Sequence, residues 1–296
     1  MVEMRDNIMM QNKTNEQFSG ESYDSIRRTN NKFVSNNDDC RKSIAELKQL
    51  AQFLSDIRCL SFGRDFIRCA QTVFSLNRVM TSLELTMVSI ISCCENICIA
   101  DANSLLRKYR DDMFFYLYIL VYDLESNTGN KSFICKNMET QISYWMKNKL
   151  NNFKISQVLQ TIAKSNCLKD AVEKYNLKNS FEEIGKHLND YMHSNGYRYY
   201  NKFYFNIPDE LSKDLKELVK NTKYISVAFL FLLILCAPHY IMAEDYIDYL
   251  DFQQIPPEYS QYWIAPFVQQ FLKDNIALID KNCLDYLKNH TCMRFD

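Results

Sequence analysis

The chain has 296 residues, 47% of them hydrophobic and 24% charged, with a formal net charge of −1. That is a globular composition, long enough to bury a substantial core, and its charge excludes a global basic field of the kind that holds nucleic acid. With 5 Gly and 5 Pro, breakers are too scarce for a barrel or a sandwich, and glycine loops that cradle nucleotides are nearly excluded.

The expected fold is therefore all-α: a multi-helix bundle with a central apolar helix and a flexible polar N-terminus. Residues 1–40 are rich in Asn, Ser, Asp, Lys and Arg and read as a mobile polar segment, because such a composition does not offset its ordering entropy. Residues 41–296 read as a single helical domain, with its core at roughly 81–196 and C-terminal helices over 208–290. From Ser43, apolar residues recur at helical spacing (Leu47, Leu50, Leu54, Ile57, Leu60) until Gly63 stops them. A second helix is expected over Arg64–Leu76 and a third over Thr81–Asn96.

Asp101–Asp123, DANSLLRKYRDDMFFYLYILVYD, predicts the central helix, with Asp101 as its N-cap. Its first half carries Arg107, Arg110, Asp111 and Asp112, whereas Met113–Tyr122 has no charge. A helix apolar all round is buried on every side, so charges enter this one at one end only. Asn127–Asn130 predicts a turn, and helices follow over Asn137–Leu150, Ser156–Lys164 and Leu168–Tyr175. Ser180–Glu183 has the form of a capping box, opening a helix that runs to about His193 before Gly196 ends it.

Tyr197–Phe205 interleaves aromatics with Arg198 and Lys202, a strip able to stack bases and hold phosphates or simply to fill the core beside a loop. A helix is expected over Asp209–Asn221, then the uncharged run Tyr224–Ala243. Its continuous apolar part, Val227–Ala237, is closer to the roughly ten to fourteen residues of a core helix than to the ~20 of a membrane span. A core helix is favoured over an anchor. The acidic stretch EDYIDYLD then leads to a helical part over Tyr262–Asn289.

Eleven cysteines, an odd number lying largely in apolar helical stretches, read as reduced buried thiols of a cytoplasmic chain with no secretory signal before them. Cys93-Cys94-x3-Cys98 is not a zinc knuckle, so no metal and no cofactor are expected. His193 has two readings. It caps carbonyls at the end of its helix or simply packs, or it serves as a general acid/base beside a developing phosphorane charge that Arg107, Arg110, Lys186 or Arg198 would stabilise.

LLRKYRDDMFFYLYI followed about eighty residues later by LNDYMHSNG resembles the plan of the HEPN-like helical proteins of bacteria, over Thr81–Gly196. The resemblance implies a metal-independent ribonuclease or RNA-binding protein of a defence or toxin–antitoxin system. It would place His193, Asn189, Arg107, Arg110 and Asp111 around one polar pocket, and its partners would be RNA, a protein such as an antitoxin, or a second copy in a homodimer. The family's signature sets Arg four to six residues before His; here Lys186 stands six intervening residues before His193 and Asn189 takes the polar position. A non-catalytic protein–protein interaction module is the alternative, and a membrane-anchored version through residues 224–243 the less favoured one.

Overall fold

The structure, a computed structural model, describes residues 23–69, 72–127, 133–149, 154–192 and 208–295. Among the described residues it is all-α, with twelve helices and one two-stranded hairpin. The first helices are α1 (Tyr23–Asn36) and α2 (Asp38–Ser61). The expected mobile lead is thus helical from Tyr23 onward. Its order has local causes. Asn37 breaks the helix between α1 and α2, and its side chain accepts the Cys40 amide at 3.1 Å. Val34 is buried, and Asn30 Nδ2 donates to the Asn96 carbonyl at 2.9 Å. These contacts fasten a segment whose composition alone would not hold it.

Past Gly63, at φ 81, the sequence expectation fails. Arg64–Leu76 is no helix but an antiparallel hairpin, β1 (Phe66–Cys69) against β2 (Thr72–Ser75), with Phe66 opposite Ser75 and Cys69 opposite Thr72. Buried Asp65 holds its base: its Oδ2 accepts the Ser75 hydroxyl at 2.6 Å and its carbonyl accepts the Leu76 amide at 3.0 Å. Ile67 and Cys69 point into the core while Phe66 and Arg68 point out, the two-residue period of a strand.

Helix α3 (Asn77–Glu95) packs against α2 and against the long α4 (Ile99–Asn127). The central helix begins two residues ahead of Asp101, which therefore lies in its first turn instead of capping it, still a favourable place for a carboxylate. Every residue from Met113 to Tyr122 is buried, as an uncharged half-helix requires. Around α4 stand α3, α5 (Phe133–Met146), α6 (Ile155–Lys164), α8 (Leu177–Met192) and α9 (Pro208–Cys236). The short α7 (Lys169–Lys174) joins α6 to α8. The capping-box expectation is also corrected. α8 opens at Leu177, three residues earlier, after Asn176 turns the chain at φ 51, and the Ser180 hydroxyl bonds back to the Asn176 carbonyl at 3.3 Å.

The two helices expected over Asp209–Asn221 and Tyr224–Ala243 are one. α9 runs through their junction because Thr222 and Ser226 satisfy their hydroxyls on the carbonyls four residues back, at 2.7 and 2.8 Å. It ends at Cys236, two residues before Pro238. It is long and apolar enough to cross a membrane, and 72% of its apolar window is buried against the rest of the protein, which accounts for that composition as a core element. The buried Tyr109 hydroxyl of α4 and Ser226 Oγ of α9 meet at 2.8 Å and tie the two long helices together.

The C-terminal region is more broken than the single helical stretch expected. It comprises α10 (Asp245–Asp251), α11 (Pro266–Asn275), α12 (Cys283–His290) and three short 3-10 turns. Helix α10 buries none of its residues, and the ridge after it exposes Phe252 at 74% and Ile255 at 93%. Gln253 within that ridge and Tyr259 beyond it lie in the left-handed region, at φ 56 and 66. No Lys or Arg occurs between Lys223 and Lys273. The described cysteines are all free; Cys59, Cys98 and Cys292 are exposed, so not every thiol is a core residue.

Candidate functional site

The charged mouth of α4 opens onto a cleft of ≈ 1340 Å³ bounded by the hairpin, α3, α4, the end of α5 and the start of α6. Each wall has a sequence cause. The hairpin's outward face supplies exposed Phe66 and Val73, with half-buried Phe74 beside them. On α5, Trp145 sets its ring 4.7 Å from Phe115 of α4 and 6.2 Å from Phe74, closing an aromatic corner. Arg78, Arg107, Lys108 and Lys154 bring positive charge, against which stand Asp111 and Asp112.

The six charges are not equivalent. Asp111 is the hub of one group: its Oδ1 accepts Arg110 Nε at 2.9 Å and Nη2 at 2.7 Å, and its Oδ2 lies 3.7 Å from Arg107 Nε. Burial raises the Asp111 pKa from its ordinary value, with Arg110 and then Arg107 opposing that shift. Asp112 pairs with Lys108 and accepts the Ser82 hydroxyl at 3.3 Å; Lys108 Nζ also donates to Ser82 and Thr86 at 3.0 and 3.2 Å. Arg78 and Lys154 are exposed, and neither has an ion-pair partner among the described residues.

Arg110 does not face the cleft. It is 3% exposed, and its guanidinium lies against the backbone of α8 at Gly185, where a Cβ would come within 2.1 Å of Nη1. The ring of Phe114 lies 6.0 Å from its Cζ. Asn189 stands one turn beyond Gly185 on α8, so it shares the face that Arg110 touches. Asn189 Oδ1 is buried and has no hydrogen-bond partner among the described residues.

Of the five residues singled out from the sequence, Arg107, Arg110 and Asp111 meet directly, and Asn189 is carried on the helix that Arg110 abuts. His193, like the whole strip Tyr197–Phe205, lies outside the described residues. The chain matches no family model, no curated protein and no solved structure.

The described histidines are elsewhere. His187 Nε2 is 3.7 Å from Glu217 Oε1 across α8 and α9, and His239 and His290 belong to the C-terminal region. Among the described residues no group of three His, Cys, Asp or Glu side chains could hold a metal ion. Sequence reasoning missed Arg78, Lys154, Phe66, Phe74 and Trp145. The available signal was Phe66-Ile67-Arg68-Cys69 in two-residue alternation, which makes a hairpin edge and puts Arg78 just behind it.

Proposed function

We propose that this chain is a HEPN-like helical protein that binds single-stranded RNA in the cleft at the mouth of α4. The observation that carries the reading is one cleft holding four cations against two carboxylates beside the aromatic side chains of Phe66, Phe74, Phe115 and Trp145. Cations track phosphates, aromatic faces stack bases, and both work on a strand whose bases are free of a partner strand. The net charge of −1 argues for such a local patch and against a basic surface that would hold duplexes. Asp111 is held by Arg110 and Arg107, and the cations and aromatics of the cleft support binding.

The test is fluorescence anisotropy of a labelled single-stranded RNA oligonucleotide titrated with protein at several salt concentrations. Affinity should fall with salt, and Arg78→Ala with Lys154→Ala should flatten the logarithmic slope by roughly 0.7 per cation removed. Trp145→Ala should weaken binding by about 1–3 kcal/mol with little change in that slope. RNA binding indifferent to all three substitutions would place the ligand elsewhere, and no binding at low salt would remove the reading.

A further inference from the structure

Two thiols far apart in sequence face each other at the side of the bundle. Cys167 lies in the turn between α6 and α7, and Cys236 is the last residue of α9; their Sγ atoms are 3.9 Å apart. Cys236 is 4% exposed, while Cys167 is half-buried.

The turn that carries Cys167 is held in place. The Glu125 carboxylate of α4 accepts the Asn166 amide at 3.0 Å and its side-chain nitrogen at 3.4 Å, and Ser165 Oγ lies 3.7 Å from Cys167 Sγ. The contact with Cys236 is the largest influence on Cys167, lowering its pKa to about 7 against the opposing effect of burial. Cys236 is pushed well above the thiol range by the same contact and by burial. A partly exposed thiol whose pKa is lowered, in contact with a buried one whose pKa is raised, is arranged as an attacking and a resolving thiol.

We propose that Cys167 and Cys236 form a peroxide-responsive dithiol that closes to a disulfide between the α6–α7 turn and the end of α9. The Cys167 thiolate attacks the distal oxygen of a hydroperoxide, forming S–O and breaking O–O; the alkoxide or hydroxide released takes up a proton. Cys236 then attacks the sulfur of the Cys167 sulfenic acid, the S–S bond forms, and water leaves with the Cys236 proton. In sum, two thiols and one hydroperoxide give one disulfide, one alcohol or water, and one water. The sulfurs must close from 3.9 Å to about 2.05 Å. The pair stands independently of RNA binding, although α6 also begins one wall of the cleft.

The test uses the full chain, reduced, freed of reductant, treated with hydrogen peroxide, alkylated, and mapped by mass spectrometry. A mass lower by two hydrogens, carried by a Cys167–Cys236 linked peptide and reversed by a thiol reductant, is the expected result. Cys236→Ser should stop at a Cys167 sulfenic acid that dimedone traps, whereas Cys167→Ser should leave Cys236 unmodified at the same dose. Reduced Cys167 and Cys236 at doses that oxidise exposed Cys59, Cys98 and Cys292 would overturn the proposal, as would a disulfide linking other cysteines. The map of the unsubstituted chain decides the matter even where a serine variant does not fold.

Discussion

Arg110 can lie flat on α8 only because position 185 carries no side chain. Gly185→Ala places a methyl within 2.1 Å of Arg110 Nη1, and the guanidinium must leave its bed beside Asp111. The expected loss is about 1–3 kcal/mol in chemical denaturation, as for other overpacked sites. Asp111→Ala is harsher, because it strips the counter-charge from an arginine that is 3% exposed. A loss of about 3 kcal/mol is expected, since removing half-buried Asp111 leaves the charge of buried Arg110 uncompensated. A change under ~1 kcal/mol would mean that Arg110 finds water on its own. The sequence showed Arg107, Arg110 and Asp111 as one charged end of an apolar helix, because spacing along a helix fixes which side chains are neighbours. It did not show that Arg110 turns inward. That depends on a glycine seventy-five positions away, and nothing local to either residue encodes their approach.

The hairpin is the element on which sequence reading failed, and the failure has a physical cause. Each strand is four residues long, and the segment contains none of the Asn-Gly or Asp-Gly pairs that announce a tight turn. What secures it is tertiary: Ile67 in the core, Asp65 at its base, and Phe74 near Trp145. Ile67→Ala should therefore cost about 2–5 kcal/mol of stability. It should also weaken the proposed RNA binding, because Phe66, Val73 and Phe74 would lose their placement. Denaturation and anisotropy on the same variant check this, and unchanged affinity at lowered stability would show that the hairpin is no wall of the binding site. The long helices were far more legible. Ten consecutive buried residues in α4 follow from ten consecutive uncharged ones, whereas the fusion across Thr222 in α9 escaped notice, because hydroxyls bonded to their own helix look like loop residues in a bare sequence.

At the scale of the whole molecule, stability should be unevenly distributed. One continuous cluster of apolar side chains runs from Val34 to Met293, and α4 and the second half of α9 lie inside it. Their amides should be the last to exchange with deuterium, at the free energy of global unfolding, while those of α10, which has no fully buried residue, should exchange by local opening. Equal protection of α10 and α4 would contradict this picture. The exposed ridge after α10 has a further consequence, for how the chain can be cut. A protease that cleaves after Lys or Arg finds no site from Tyr224 to Leu272. One that prefers large apolar residues meets Phe252 at the surface, at 74% exposure. Because α9 packs against both α11 and α12, a nick at Phe252 should leave two fragments that remain associated after the covalent link between them is gone. The ridge is thus a natural place to split the protein into two complementing halves.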